Sequence, residues 1–109
     1  MSRPGPEPRI NSRLLNKYQG QTVRLTAKVV NVNGDTATVE ASDGGQIGVH
    51  LSREMHLSDT FVEIIGTVKD DLTIKAFLGF NMGNSLDMKA VNAVVELAQS
   101  HKGEGVLAA

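Results

Sequence analysis

The chain has 109 residues, 21% of them charged, no cysteine and a formal net charge of −1. This length fits a single domain with one hydrophobic core, and the lack of cysteine excludes a disulfide framework and thiolate metal sites. No apolar run is long enough for a signal peptide or a membrane span, so we expect a soluble, intracellular protein in a reducing compartment with no membrane partner.

The charge is unevenly distributed along the chain. Residues 1–20 carry four basic side chains and one acidic side chain, a net charge of +3. Residues 21–86 carry five basic and eight acidic side chains, a net charge of −3. A protein that binds nucleic acid on its own usually has a basic footprint. The main body of this chain therefore does not fit that class.

The N-terminal segment predicts a disordered leader followed by a short helix. Residues 1–8 contain all three prolines of the chain, a composition typical of an irregular segment. Asn11 can cap the helix and Gly20 can end it. Three apolar residues at helical spacing are expected to pack on the following domain: Leu14, Leu15 and Tyr18.

Five strands are predicted between residues 21 and 82. In the first, the alternation of apolar and polar residues slips by one position at Val29 and Val30, which predicts a bend or bulge. Asn33-Gly34 predicts a hairpin turn, and Gly66 predicts a second irregularity. The other strands are predicted at residues 36–41, 46–51, 60–69 and 72–82. The last strand is expected to point one set of residues inward: Leu72, Ile74, Ala76, Leu78 and Met82.

A bent first strand, a three-strand meander, a longer polar link and a closing hairpin predict an all-β fold with a C-terminal helix. The pattern favours a five-stranded Greek-key OB-fold barrel over residues 9–86, a fold that often binds oligonucleotides or oligosaccharides. An SH3-like barrel is left open by the pattern alone.

Residues 87–102 predict a helix that is too apolar for a simple cap on a barrel. Its apolar positions sweep an arc of about 220° at 100° per residue, whereas a surface helix needs little more than 100°. We therefore expect one face to pack on the barrel and another to bind a second protein. The spacing favours Met88, Val91, Val95 and Ala98 as the seam of a helical bundle. The side with Ala90, Val94 and Leu97 would then lie on the barrel, or the two faces are exchanged. Residues 103–109 are expected to form a flexible tail.

No catalytic, metal or cofactor site is predicted. The three histidines share no ligand spacing, and no glycine-rich loop precedes a helix, so we do not expect an enzyme. Basic and aromatic side chains on outward strand positions are candidates for weak nucleic-acid contact: Arg24, Lys28, Lys75 and Phe77.

Several segments resemble one family in order and spacing. They are PRIN at residues 8–11, SDGG at 42–45, FVEIIGTV at 61–68 and SLDMKAVNAVVELA at 85–98. Together they resemble the smallest subunit of replication protein A, the eukaryotic heterotrimer that binds single-stranded DNA. The resemblance implies an OB-fold whose C-terminal helix joins helices of the large and middle subunits in a three-helix bundle.

The resemblance also implies a structural role in nuclear DNA replication, repair and recombination, with most DNA contact made by the larger subunits. The bundle role then falls on five residues of the helix: Met88, Val91, Val94, Val95 and Ala98. Two alternatives stay open, an independent oligonucleotide-binding module and the small subunit of the telomere-capping complex.

Overall fold

The computed structural model describes residues 7–100. Most of the predicted leader at residues 1–8, the last two residues of the predicted helix at 87–102, and the whole predicted tail at 103–109 lie outside the described residues.

The described chain forms a closed barrel with a helix after its last strand. Its elements in order are β1 (Arg9–Ile10), a 3₁₀ helix (Ser12–Tyr18), β2 (Thr22–Asn33), β3 (Thr36–Ala41), β4 (Gln46–His50), β5 (Phe61–Val68), β6 (Ile74–Asn81) and α1 (Met88–Ser100). The strand order is β1-β2-β3-β4-β6-β5, and a further pairing of β2 with β5 closes the barrel. This confirms the predicted OB-fold-like barrel with a C-terminal helix. The two-residue β1, which runs parallel to β2, was not predicted.

The long strand β2 bends because it serves both halves of the barrel. Its first half pairs with β5 and its second half pairs with β3. The β2–β3 register shifts between Val29 and Asn31, which confirms the irregularity predicted from the slip in alternation at Val29 and Val30. An extra residue in one strand increases its local bend and twist.

Gly66 allows β5 and β6 to approach closely. A Cβ atom at Gly66 would lie 2.4 Å from the carbonyl oxygen of Lys75 and 2.8 Å from the Cα atom of Ala76. The β5–β6 register shifts at this point, between Ile65 and Gly66, so the predicted irregularity is confirmed. Phe77 is left between the paired positions Ala76 and Leu78.

This bulge makes part of the predicted inward face of the last strand wrong. Ile74 and Ala76 are buried, but Leu72, Leu78 and Met82 are exposed. Leu78 and Met82 lie beyond the bulge, where the extra residue has reversed the alternation. Leu72 lies before β6, in the turn that follows Lys69.

The N-terminal segment contacts the barrel as predicted, but Asn11 does not cap the helix. Leu14, Leu15 and Tyr18 are buried. Asn11 makes no side-chain cap hydrogen bond and is fully buried, with its carboxamide directed at α1.

Candidate functional site

Helix α1 begins with a local cap supplied by Asp87. The Oδ1 atom of Asp87 accepts a hydrogen bond of 3.2 Å from the backbone N–H of Ala90. This satisfies one of the unpaired N–H groups of the first turn.

The polar side of α1 faces the N-terminal segment and the turn after β3. Asn11 Nδ2 donates to Asn92 Oδ1 at 2.8 Å, and Ser42 Oγ donates to the same oxygen at 3.0 Å. Because Asn11 is fully buried, these contacts lie on the side of the helix that faces the barrel and not on its solvent side.

Glu96, one turn further along, forms an ion pair with Arg13 of the 3₁₀ helix. Its carboxylate accepts hydrogen bonds from Arg13 Nε at 2.7 Å and from Asn11 Nδ2 at 2.8 Å, and Arg13 Nη2 binds its second oxygen. The bonds from Arg13, and then the bond from Asn11, lower the pKa of Glu96 from 4.5 to about 2. Glu96 is therefore ionised and held by the 3₁₀ helix at neutral pH.

Gln99 completes this row of polar contacts. Gln99 Nε2 donates to the hydroxyl oxygen of Tyr18 at 2.8 Å, and Lys17 Nζ donates to Gln99 Oε1 at 2.9 Å. Asn92, Glu96 and Gln99 follow each other at intervals of four and three residues, so they form one stripe of the helix. That stripe is the polar edge of the surface with which α1 lies on the barrel.

One apolar residue of α1 joins the hydrophobic core. Val95 is 1% exposed and lies in a cluster with buried residues of the barrel and the 3₁₀ helix. Burial of a valine side chain contributes about 2 kcal/mol. Val95 therefore anchors the helix between its polar contacts.

The opposite face of α1 is apolar and exposed. Val94 is 55% exposed and Leu97 is 50% exposed, and Ala90 and Ala93 are also exposed. At 100° per residue these four positions span an arc of about 100°, the width of a normal buried stripe. We call Ala90, Ala93, Val94 and Leu97 the outer face.

The orientation that the spacing favoured for α1 is therefore wrong, and the exchanged orientation holds. Of the five residues predicted to meet a partner, Val94 lies on the outer face, Val95 lies in the core, and Met88, Val91 and Ala98 are half-buried. Asn11 was predicted to cap the 3₁₀ helix, so its contacts with Asn92 and Glu96 were missed.

A groove lies beside the outer face. It has a volume of about 210 Å³ and is lined by the apolar side chains of Met82, Leu86, Val91 and Val94 together with Arg9, Thr26 and Glu63. Two of the apolar residues, Val91 and Val94, come from α1, so the groove and the outer face form one continuous surface.

The structure does not bring the four nucleic-acid candidates into one site. Arg24 contacts Glu63 and Glu7, each at 3.0 Å. Partial burial lowers the pKa of Arg24, but the hydrogen bonds that it donates to these two carboxylates leave it raised. Lys28 lies opposite Glu40 in the β2–β3 register.

The other two candidates, Lys75 and Phe77, lie on β6, and β5 separates them from β2. Both side chains are exposed. Arg24 and Lys28 therefore lie on β2 beside carboxylates of other segments, and Lys75 and Phe77 lie apart from them on β6.

Residues 7–100 were searched for metal-binding clusters and for membrane-spanning helices. Within this range no three His, Cys, Asp or Glu side chains are grouped so that they could hold a metal ion. The same range contains no helix that is long and apolar enough to cross a membrane.

Comparison with known proteins identifies one family across nearly the whole chain. The sequence profile of the family described as "Replication factor A protein 3" matches residues 1–104. The chain is similar to a 14 kDa replication protein A subunit of Arabidopsis thaliana, with 33% identity over 98 residues that cover 90% of this chain and 92% of that protein. It is also similar to "Replication factor A protein 3" of Schizosaccharomyces pombe, with 31% identity over 89% of this chain and 90% of that protein.

Solved structures share the fold. A chain of the U. maydis replication protein A bound to ssDNA superimposes with a TM-score of 0.86 and 33% identity, over 93% of this chain and 94% of that chain. A chain of the S. pombe Stn1–Ten1 complex superimposes with a TM-score of 0.71 and 12% identity, over 90% of this chain and 96% of that chain. The second likeness concerns the fold alone.

Proposed function

The chain belongs to the replication factor A protein 3 family, and on this premise we propose that it is the smallest subunit of a replication protein A heterotrimer. In this role it is a non-catalytic assembly subunit. Its helix α1 packs with helices of the large and middle subunits, and the complete complex binds single-stranded DNA in replication, repair and recombination. A nuclear location is part of the same proposal.

The observation that carries the proposal is the outward orientation of the apolar face of α1. Val94 and Leu97 are each about half exposed, while Asn92 and Glu96 are turned toward the barrel. Leaving two such side chains half in water forgoes on the order of 1 kcal/mol of hydrophobic stabilisation for each. A partner helix laid along the outer face recovers this free energy.

The groove beside the outer face would provide a second contact surface for the partner helix. Met82 and Leu86 extend the apolar surface from α1 onto the segment that follows β6. An apolar side chain of a partner helix that enters the groove would contact Val91 and Val94 from the barrel side. Residues that fill such pockets dominate the energetics of protein interfaces.

Low DNA affinity of the isolated subunit is supported by the charges of the barrel. Arg24 is engaged by two carboxylates, and residues 21–86 have a net charge of −3. Affinity for nucleic acid depends largely on cations that are free to replace condensed counterions. The larger subunits would then supply most of the affinity of the complex.

Two other functions are less well supported. A telomere-capping small subunit shares the fold, but the S. pombe likeness of 12% identity extends no further than the fold. An independent oligonucleotide-binding module would need a broad basic groove, and Arg24 and Lys28 both lie beside carboxylates.

Co-purification tests the proposal. The chain is expressed in turn with the large and middle subunits of replication protein A and with the larger subunits of a telomere-capping complex, and each mixture is analysed by size-exclusion chromatography. Co-elution with the first set alone is expected. Co-elution with the telomeric subunits alone, or with neither set, would contradict the proposal.

A further inference from the structure

One arginine lies at the mouth of the apolar groove beside the outer face of α1. The groove combines apolar side chains of α1 and of the segment after β6 with the side chain of Arg9. Arg9 belongs to β1, which pairs in parallel with β2, and its side chain is 50% exposed. The barrel therefore sets the position of this guanidinium group, and part of the group stays accessible from the groove.

Glu63 holds Arg9 from the barrel side. Glu63 Oε2 accepts a hydrogen bond of 3.2 Å from Arg9 Nε. The same carboxylate accepts bonds from Arg24 Nη1 at 3.0 Å and from Thr26 Oγ1 at 3.3 Å, and its side chain is only 9% exposed. Three donors thus occupy most of the acceptor sites of this carboxylate. Glu63 fixes the guanidinium of Arg9 and has little capacity left for a partner protein.

The terminal nitrogens of Arg9 have no acceptor within residues 7–100. A guanidinium group has five N–H donors, and in this range the side chain of Arg9 makes one hydrogen bond, from Nε to Glu63. The four N–H donors on its Nη1 and Nη2 atoms are left without a protein partner. Arg24 differs, because it donates from Nη1 to Glu63 and from Nη2 to Glu7, each at 3.0 Å.

A partner helix that covers the groove takes the donors of Arg9 out of water. Burying a charged donor without an acceptor opposes binding, and the side chains of Leu86, Val91 and Val94 that line the same groove offer no acceptor. The acceptor must therefore come from the partner. A carboxylate suits the site best, since its two oxygens match the N–H groups of a guanidinium in a bidentate contact.

Exposed apolar side chains of β6 and the segment after it surround this position. Phe80 is 46% exposed and Met82 is 41% exposed, and Phe80 lies opposite Glu63 in the β5–β6 register. A carboxylate bound to Arg9 would lie between this surface and the outer face of α1. Salt screens such a partly buried charge pair less than a pair in open water.

We propose that Arg9 selects the helix that binds the outer face, by binding a carboxylate three or four residues away from the apolar side chain that enters the groove. Residues at these spacings are neighbours on one side of a helix, so a single partner helix can present both groups. A helix with an apolar residue or a lysine in place of that acid would leave Arg9 unpaired or repelled. This inference rests on the proposed assembly role of α1 and adds the chemistry of the partner.

Subunit exchange in the complete heterotrimer tests the inference. The complex is assembled from the large and middle subunits of replication protein A and a fluorescently labelled copy of this chain, and release of the label is followed after excess unlabelled chain is added. Arg9→Gln in the labelled chain should accelerate release about tenfold, because loss of one member of an enclosed charge pair acts mainly on dissociation. Release at the wild-type rate would overturn the inference.

Arg53→Gln is the matched control for loss of a guanidinium. Arg53 is exposed in the link between β4 and β5 and does not line the groove, so this variant should release the label at the wild-type rate. Equal acceleration by Arg53→Gln and Arg9→Gln would reduce the effect to net charge and would contradict a specific pair at Arg9.

Substitutions in the partner helices test the same pair from the other side. Each acidic residue of the helices that the large and middle subunits contribute is changed in turn to Asn or Gln, first with the wild-type chain, so that this test does not depend on the folding of Arg9→Gln. One change should accelerate release about tenfold and should have no further effect when combined with Arg9→Gln. No effect from any acidic residue, or effects that all add to that of Arg9→Gln, would overturn the pairing.

The combined variants also separate recognition from stability. Arg9 helps to hold Glu63, so Arg9→Gln can destabilise the barrel, but such a loss adds to the effect of a partner substitution, whereas loss of a shared ion pair does not. If the wild-type chain does not assemble with the two subunits, the proposed function fails and this inference fails with it. If it assembles and no acidic residue couples to Arg9, this inference alone fails.

Discussion

Val94 and Val95 are consecutive residues of α1, yet Val95 is 1% exposed in the core and Val94 is 55% exposed on the outer face. The difference follows from the way the helix is held, since Asn92 and Glu96 are bound to the N-terminal segment. These polar contacts fix the rotation of the helix about its axis. The apolar outer face is therefore exposed because polar residues hold the opposite side of α1 on the barrel and the N-terminal segment.

The two valines should respond differently to the same truncation. Val95→Ala leaves a cavity in the core and should lower the free energy of unfolding by about 1–3 kcal/mol. Val94→Ala removes an exposed side chain and should change it by less than about 0.5 kcal/mol. Urea unfolding followed by far-UV circular dichroism gives both values. Similar losses in the two variants would contradict the orientation of α1 described above.

Docking of α1 should weaken in acid because of Glu96. Its pKa is lowered from 4.5 to about 2 by the hydrogen bonds from Arg13 and Asn11. The group therefore contributes its stabilisation fully above about pH 4.5 and loses it as the pH falls toward about 2. Thermal unfolding of the wild type and Glu96→Gln between pH 5 and pH 2 measures this. The difference between the two midpoints should shrink across that window, and a constant difference would exclude this role.

The carboxamide of Asn11 should stabilise the fold through its hydrogen bonds to α1, although the residue lies just before the 3₁₀ helix. Asn11→Ala removes donors to both Asn92 and Glu96 and should cost about 1–3 kcal/mol of stability, because two hydrogen bonds of a fully buried side chain are lost, one of them to a charged group. Asn16→Ala, at an exposed position of the same helix, is the matched control. Equal stability of the two variants, measured by urea unfolding, would argue against a buried polar clamp.

Much of the fold could be predicted because strands and turns leave local patterns. The phase slip at Val29 and Val30 predicted the bend in β2, and Gly66 predicted the irregularity in β5. The inward face of β6 was mispredicted beyond Phe77, because the bulge depends on the close approach of β5 and leaves no mark in the sequence of β6 itself.

The orientation of α1 could not be read from its own sequence. An apolar arc of about 220° contains two acceptable buried faces, and the choice between them depends on Asn11 and Arg13, more than 80 residues away. Likewise, the pairing of Arg24 with Glu63 depends on the β2–β5 register. The sequence of α1 therefore predicts a helix with more apolar positions than one buried face needs. Tertiary contacts determine which of these positions face solvent.

The close pairing of β5 with β6 should depend on the absence of a side chain at Gly66. In Gly66→Ala the new Cβ atom would lie 2.4 Å from a backbone oxygen, so β5 and β6 must separate, at a cost of about 1–3 kcal/mol. In Gly48→Ala the nearest atom is the Cγ2 methyl of Thr73 at 3.3 Å, and a side chain adjusts more easily than a strand. Thermal denaturation should show the larger loss for Gly66→Ala. An equal or larger loss for Gly48→Ala would be inconsistent with this close approach of β5 and β6.

The central claim is that the outer face of α1 binds the large and middle subunits, and assembly of the heterotrimer tests it most directly. The double variant Val94→Asp/Leu97→Asp places charge on the outer face, and Val30→Asp/Val32→Asp places the same charge on two exposed apolar residues of β2. Each variant is co-expressed with the large and middle subunits of replication protein A, and the yield of heterotrimer is measured by size-exclusion chromatography. We predict that the α1 variant stays folded but loses the heterotrimer, while the β2 variant assembles normally. Normal assembly of the folded α1 variant would contradict the account.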